Sequence, residues 1–77
     1  MTRSLRSNFD LSVIIPAYNE SERLPPFLRR IVGFLEARKT SYEIIVVDDG
    51  SSDNTAQVVE SLARPGLHIR LIRSAYN

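Results

Sequence analysis

The feature that most constrains the fold is an apolar run that ends in two adjacent carboxylates and a glycine turn. Residues 43–53 read EIIVVDDGSSD. Ile44 to Val47 are β-branched and do not alternate with polar residues, which is typical of a parallel strand covered on both faces. Ligands of open parallel sheets bind beyond the carboxyl ends of the strands. The pattern therefore predicts a site at Asp48 and Asp49.

A second segment has the same build. Residues 11–15, LSVII, form a short apolar run that breaks at Pro16, where the polar sequence begins. Because proline cannot donate to a β-ladder, the strand is predicted to end there. The connection to the next strand is long enough for a helical crossover, which favours parallel pairing. Both polar tails are then expected at one edge of the sheet.

Two helices are predicted between the strands. Apolar residues at helical spacing follow a Leu-Pro-Pro sequence, which places the start of the first helix near Pro26. This helix is predicted to end around 38–39, where basic residues suit the negative end of a helix dipole. The second helix is expected to be capped by Asp53 or Asn54 and to be stopped by the Arg-Pro-Gly sequence at 64–66.

A third, edge-like strand is predicted because Leu67, Ile69 and Leu71 alternate with polar residues. The order β-α-β-α-β defines an α/β fold and matches the first half of a doubly wound nucleotide-binding domain. Right-handed crossovers with strand order 1-2-3 place both helices on one side of the sheet. The opposite apolar face would be bare, a liability in so small a domain. We therefore expect a fragment whose bare face is covered by sequence beyond Asn77 or by self-association.

Composition excludes several classes of protein. The 77 residues form one domain at most, and a net charge of +1 gives no electrostatic case for nucleic acid or anionic lipid. The absence of cysteine excludes disulfides and thiolate metal sites and fits a reducing, cytoplasmic compartment. Residues 1–10 lack the apolar core of a signal peptide and are predicted to be a flexible arm. No segment approaches the roughly 20 apolar residues of a membrane span.

Two motifs together resemble the amino-terminal half of the catalytic domain of family 2 glycosyltransferases of the GT-A fold. They are VIIPAYNE at 13–20 and IVVDDGSSDNT at 45–55. The ERLP sequence at 22–25 is most similar to the polyprenyl-phosphate branch, first to dolichyl-phosphate β-glucosyltransferases and next to dolichol-phosphate mannosyltransferases. The resemblance covers 11–77 and implies the parallel, Rossmann-like half of a GT-A nucleotide-binding domain.

The same resemblance implies a divalent cation that this chain does not bind by itself. Residues 72–77 are similar to the strand that precedes the family's Asn-x-Gly-Lys-Gly turn. The sequence stops before the family's metal-binding Asp-x-Asp motif and before its catalytic base. Magnesium or manganese is therefore expected in the full enzyme, with ligands outside this chain, and no catalytic residue is assigned here.

A uracil or guanine base presents N–H donors and a flat π face, so a base pocket needs an acceptor carboxylate and a stacking surface. Asp49 can supply the acceptor. Tyr18 can supply the face, or it can simply cover the sheet edge. The resemblance implies that Asp49 accepts the base N–H and that Pro16 and Ala17 shape the pocket with main-chain contacts.

Two further acidic residues belong to the same predicted nucleotide site. The resemblance implies that Glu20 reaches the base or the ribose. Asp48 is expected at the site as the residue that orients the loop or pairs with a nearby arginine. Asp53, in contrast, is expected to cap a helix, and the pair at 29–30 is expected to mark a solvated helix face.

The resemblance implies an enzyme that transfers a sugar, with inversion, from a nucleotide-sugar donor to a polyprenyl or dolichyl phosphate. UDP-glucose is the expected donor, the full protein is expected at a membrane, and the 77 residues alone are expected to be inactive. A dinucleotide-binding oxidoreductase and a P-loop protein are disfavoured because neither glycine-rich motif occurs. A non-enzymatic nucleotide-binding or self-associating module stays open as the alternative.

Overall fold

The computed structural model describes residues 9–63 and 67–74. Most of the predicted flexible arm (residues 1–8), the predicted helix stop at 64–66 and the last three residues lie outside the described residues. The elements are β1 (Leu11–Ala17), α1 (Leu24–Ala37), β2 (Tyr42–Asp48), α2 (Thr55–Leu62) and β3 (Ile69–Arg73). The predicted β-α-β-α-β order is confirmed.

The three strands form one parallel sheet with β2 in the centre. The strand order is β1-β2-β3, and both neighbouring pairs are parallel. Ala17 is in register with Asp48, and Asp48 is in register with Arg73. The carboxyl ends of all three strands therefore meet at one edge, as the sequence predicted.

The core lies between one face of the sheet and both helices. Ile44 and Val46 of β2 are fully buried, as is Val59 of α2. Leu28 of α1 is 1% exposed and belongs to the same cluster. Because one cluster contains buried residues from both helices and from every strand, both helices cover the same side of the sheet, as right-handed crossovers require.

The second face of the sheet carries the alternate residues of each strand. Ile14 is in register with Ile45, and Pro16 is in register with Val47, which in turn faces Ile72. Ile14 is 57% exposed and Ile72 is 48% exposed. Within residues 9–63 and 67–74, no helix packs on this face, and Ile14 and Ile72 are exposed on it as predicted, whereas Ile45 on the central strand is only 9% exposed.

Two predicted boundaries are wrong, and both involve proline. Pro16 does not end β1, which continues to Ala17. A proline is tolerated there because β1 pairs only with β2 among the described strands. Helix α1 begins at Leu24 rather than near Pro26, because Pro25 and Pro26 both lie in the first turn, where backbone N–H groups need no intrahelical partner.

Candidate nucleotide site

The polar residues that follow β1 and β2 meet at the carboxyl edge of the sheet. The backbone N–H of Asp49 donates to the carbonyl of Ala17 at 2.9 Å, which continues the β1 and β2 pairing by one residue. Asp49 is exposed and Tyr18 is 51% exposed. The structure thus presents an open carboxylate and an open aromatic ring on adjacent strand ends.

Asn19 joins the two loops. Its backbone N–H donates to Ser51 Oγ at 2.8 Å, and its side-chain Oδ1 accepts the backbone N–H of Ser52 at 2.8 Å. The same Oδ1 lies 3.4 Å from the N–H of Asp53. Asn19 has a φ of 52°, a left-handed conformation that asparagine tolerates better than most residues. These contacts fix the loop after β1 against the turn after β2.

Asp48 is buried beneath the acidic turn, with 1% of its surface exposed. Its Oδ1 accepts the backbone N–H of Ser51 at 3.0 Å, and its Oδ2 lies 3.5 Å from Nε of Arg73. Both structural roles expected for Asp48, orienting the loop and pairing with an arginine, are therefore present. Gly50 completes the turn with a φ of 76°, which glycine adopts without strain.

Asp53 holds the start of α2 and also reaches the loop after β1. Its Oδ1 accepts the backbone N–H of Thr55 at 3.0 Å and bonds the Thr55 hydroxyl, while its Oδ2 lies 3.4 Å from the N–H of Ser21. The hydrogen bond from the Thr55 hydroxyl is the main cause that lowers the pKa of Asp53. The predicted capping role of Asp53 is confirmed, whereas Asn54, at the N-cap position, makes no capping bond with its side chain.

Glu20 lies between the site and the start of α1. Its backbone N–H donates to Thr55 Oγ1 at 3.0 Å, and its carbonyl accepts the N–H of Leu24 at 2.9 Å. Its carboxylate pairs with Arg23 at 2.9 Å. Glu20 is thus held by backbone contacts on both sides while its carboxylate stays partly exposed.

A cleft of about 430 Å³ opens beside this edge. It is lined by residues of β1, of the following loop and of the first turns of α1: Ile15, Pro16, Glu20, Glu22, Arg23, Leu24, Pro26, Phe27 and Arg30. Two of the six predicted site residues, Pro16 and Glu20, line it, and the other four lie outside it. The cleft is therefore separate from the open surface formed by Tyr18 and Asp49.

The described residues do not form a metal cage. Over 9–63 and 67–74, no group of three or more histidine, aspartate or glutamate side chains is placed to hold a metal ion. Asp48 pairs with Arg73, and Asp53 accepts hydrogen bonds from Thr55. In the same part of the chain, no helix is long and apolar enough to cross a bilayer.

The comparison with protein families decides the family. The profile of glycosyl transferase family 2 matches residues 12–77, most of the chain. The chain belongs to glycosyltransferase family 2. The resemblance seen in the two motifs at 13–20 and 45–55 is therefore confirmed.

Curated relatives of this family 2 chain act on polyprenyl phosphates according to their names. It is 47% identical to a dolichyl-phosphate beta-glucosyltransferase of Dictyostelium discoideum, over 91% of this chain and 24% of the relative. It is 50% identical to an undecaprenyl-phosphate 4-deoxy-4-formamido-L-arabinose transferase of Sodalis glossinidius, over 77% of this chain and 18% of the relative. The chain thus spans about a quarter or less of the length of these relatives.

A solved structure supports the fold assignment. The crystal structure of S. aureus TarS superposes with a TM-score of 0.67 and 37% identity, over 87% of this chain and 19% of that chain. The predicted fold, the β-α-β-α-β half of a GT-A domain, is confirmed.

Proposed function

We propose that this family 2 chain binds the nucleotide of a nucleotide-sugar donor, and that the longer enzyme transfers the sugar to a polyprenyl or dolichyl phosphate. The observation that carries the proposal is the juxtaposition of exposed Asp49 and Tyr18 at the carboxyl edge of the sheet. Asp48 holds the turn after β2 by accepting the backbone N–H of Ser51. Asn19 joins the loop after β1 to the same turn by accepting the backbone N–H of Ser52. A fixed carboxylate beside an aromatic ring suits a base that presents N–H donors and a π face.

The roles that we propose for these residues come from the family resemblance. Asp49 accepts the N–H of the base, Tyr18 stacks on its face, and Glu20 reaches the base or the ribose. The main chain at Pro16 and Ala17 forms the wall of the pocket. Asp48 supports the turn that carries Asp49, because it is buried and its Oδ1 is already occupied by the backbone of Ser51. Its proposed part in nucleotide binding is therefore indirect.

The donor that we propose is UDP-glucose, and the reaction that we propose is a single inverting displacement. Both come from the family resemblance and from the name of the Dictyostelium relative. A divalent cation, magnesium or manganese, would stabilise the departing diphosphate. Over 9–63 and 67–74 no cluster of three metal-ligating side chains occurs. Following the family resemblance, we propose that the ligands of the ion and the catalytic base belong to sequence outside this chain. The contribution of this chain is to hold the nucleotide.

Asp49→Asn tests the proposal. Asparagine keeps the size of the side chain but replaces one acceptor oxygen with a donor amide. The lost charged hydrogen bond should weaken UDP binding by about ten- to over a hundredfold. Calorimetric titration with UDP and with GDP, on wild type and variant, measures this loss and compares the two bases. Circular dichroism establishes that each protein is folded.

The control is Asp53→Asn, four residues further along the same loop. Asparagine caps helices about as well as aspartate, so this variant should bind UDP with nearly the affinity of the wild type. Equal affinities for wild type and folded Asp49→Asn would contradict the assignment of Asp49 to the base. Absence of any saturable nucleotide binding by the folded wild-type chain would favour the alternative, a structural module.

The bare second face supports a proposal about partners. Ile14 and Ile72 are each about half exposed on it. We propose that this face is covered by the rest of a longer protein, and that the chain alone self-associates or is poorly stable. Sedimentation of the 77-residue chain measures this directly. A compact monomer with a cooperative thermal transition would contradict it.

A further inference from the structure

One face of α1 alternates arginine and phenylalanine along its whole length. Arg23, Phe27, Arg30, Phe34 and Arg38 are spaced by four, three, four and four residues, the spacing of a single helix face. The two end residues have helical backbone angles, so the spacing holds from the N-cap to the C-cap. We call these five residues the α1 stripe.

The stripe lies on the outside of the molecule. Phe27 is 45% exposed and Phe34 is 61% exposed, and the three arginines are exposed as well. Another side of the helix carries Leu24, Leu28 and Leu35, which are buried in the core. The aromatic residues of the stripe therefore do not contribute to the core.

Charge is concentrated around the stripe. From Arg23 to Lys39 the sequence has five basic residues and a single acid, Glu36. The carboxylate of Glu36 is occupied, since it accepts the hydroxyl of Tyr42 at 2.9 Å. In the rest of the chain eight acids face five basic residues. The net charge of +1 alone gives no case for an anionic lipid. It is, however, the sum of a basic segment at 23–39 and an acidic remainder of the chain.

Phenylalanine side chains with arginines between them suit the interface of a membrane. Interfacial helices place aromatic residues at the boundary of headgroups and acyl chains, while their basic residues contact anionic headgroups. The guanidinium of Arg38 lies 5.2 Å from the centre of the Phe34 ring, so charge and apolar surface are directly adjacent. We propose that the α1 stripe is the surface by which this protein lies on a membrane that contains anionic lipids.

The surroundings of the stripe favour a bilayer over a nucleic acid. The stripe is about 22 Å long from Arg23 to Arg38. Its residues near the start of α1, Arg23, Phe27 and Arg30, line the cleft beside the sheet edge together with Glu20 and Glu22, and these two acids would repel the phosphates of a single strand lying along it. Only the expectation that a lipid is nearby rests on the proposed function, through the polyprenyl phosphates in the names of the relatives.

The stripe lies next to the proposed nucleotide site, which gives membrane binding at this surface a functional consequence. At one end it begins at Arg23, which pairs with Glu20 of the proposed nucleotide site at 2.9 Å. Docking along α1 therefore brings the carboxyl edge of the sheet close to the membrane surface. A sugar held at that edge would lie close to a phosphate at the level of the headgroups.

Sedimentation with vesicles tests the proposal. The 77-residue chain should bind vesicles of phosphatidylcholine mixed with phosphatidylglycerol and should bind pure phosphatidylcholine much more weakly. Arg30→Gln should weaken binding to the mixed vesicles about fivefold, since each arginine near an anionic surface contributes about 1 kcal/mol. Phe34→Ser should weaken it further, by about tenfold, and added salt should weaken binding of the wild type.

Two matched controls separate the stripe from general charge attraction and from the bare face of the sheet. Arg29→Gln removes the same charge from the adjacent position, which lies off the stripe and lines a groove beside α2. Ile72→Ser removes an apolar side chain of similar exposure from the bare face. Both should leave vesicle binding within about twofold of wild type. Circular dichroism confirms that all variants are folded.

Several outcomes would overturn the proposal. Equal losses for Arg29→Gln and Arg30→Gln would show attraction by net charge alone, and a large loss for Ile72→Ser would assign binding to the sheet face. Tighter binding to a short RNA than to mixed vesicles, with the same dependence on Arg30 and Phe34, would make the stripe a nucleic-acid surface. Vesicle binding without UDP binding would leave the stripe proposal intact and contradict only the nucleotide site.

Discussion

Apolar residues lie on both faces of this sheet but have different surroundings. On the first face Ile44 and Val46 are fully buried beneath α1 and α2. On the second face Ile14 is 57% exposed and Ile72 is 48% exposed. Both faces therefore carry apolar residues, but among the described residues the helices α1 and α2 pack on only one of them. The difference teaches that the stability of this chain depends mainly on the first face, while the second face keeps exposed apolar residues at Ile14 and Ile72.

The same contrast holds for the charged residues of the two faces. Asp48 extends the first face at the carboxyl edge, is 1% exposed and pairs with Arg73. On the second face Glu43 accepts a hydrogen bond from the Ser12 hydroxyl at 2.6 Å and lies 3.9 Å from Arg70. The side chain of Glu43 is 14% exposed, so water screens it better than Asp48. The two ion pairs should therefore differ in their contribution to stability.

The largest test of the comparison removes an isoleucine from each face. Ile44→Ala should lower the free energy of unfolding by about 2–5 kcal/mol, since it leaves a cavity in the core. Ile14→Ala, on the neighbouring strand, should lower it by under about 1 kcal/mol, because that side chain is already more than half exposed. Urea denaturation of both variants measures the two changes. Similar losses at the two positions would mean that the second face is covered in solution.

A smaller effect is expected from the two arginines of β3. Arg73→Gln removes the cation nearest the buried Oδ2 of Asp48, an oxygen that makes no hydrogen bond among the described residues. The variant should be destabilised by about 1–3 kcal/mol, because a buried carboxylate loses its charge partner and the exposure of Arg73 limits that loss. Arg70→Gln removes an arginine of similar exposure from the second face and should change stability by under about 1 kcal/mol.

Comparison of the two glutamine variants by denaturation makes the test independent of helix or strand propensity, since the same residue is exchanged in the same strand. If Arg70→Gln were the more destabilising of the two, the buried carboxylate of Asp48 would not depend on its ion pair. The contrast drawn between the faces would then hold for apolar residues alone.

Much of the fold could be predicted because the relevant signals are local. The β-branched run at 44–47 and the helical spacing in α1 identify their elements without tertiary information. The prolines at 16 and 26 were misleading because their effect depends on whether a neighbouring strand or an intrahelical acceptor needs the missing N–H group. That need is set by the position of the strand in the sheet and by the turn of the helix in which the proline lies, neither of which the sequence shows.

The sequence could place the predicted site residues at one edge of the sheet but could not give their contacts. Adjacent carboxylates after a strand indicate Asp48 and Asp49, and parallel pairing brings Tyr18 to the same edge. The partner of Asp48 could not be named, because Arg73 faces it only through the register of β2 and β3. The role of Asn19 was missed, although an asparagine directly after a strand is a known candidate for the left-handed conformation that it adopts.

A third test uses the pH dependence of the first face. Burial is the main cause that raises the pKa of Tyr42 to about 12, and its hydrogen bond to Glu36 adds to the effect. Because the folded pKa lies above the unfolded value of 10.0, this contribution is fully present below pH 10 and is lost as pH rises toward 12. The loss should be about 1.4 kcal/mol near pH 11.

The measurement is denaturation at increasing pH, with Tyr42→Phe as the control. Phenylalanine cannot ionise, so the alkaline decrease in stability should become shallower in the variant. Titration of tyrosinate absorbance in the folded wild type should show a group that ionises near pH 12 and is absent from Tyr42→Phe. An unchanged alkaline decrease in Tyr42→Phe would show that the phenol is not the group responsible.

The smallest test extends the comparison to the side of α1 that borders the groove beside α2. A methyl group built on Gly33 meets nothing within 4 Å, so the helix is as open there as the sheet is on its second face. Gly33→Ala should therefore stabilise the protein by about 0.5–1 kcal/mol, since alanine loses less backbone freedom on folding and favours the helix. Thermal unfolding of the variant measures the gain. A destabilised Gly33→Ala would instead mean that another molecule, a second copy included, packs closely against this side of α1 in solution, because only such a contact would leave no room for one methyl group.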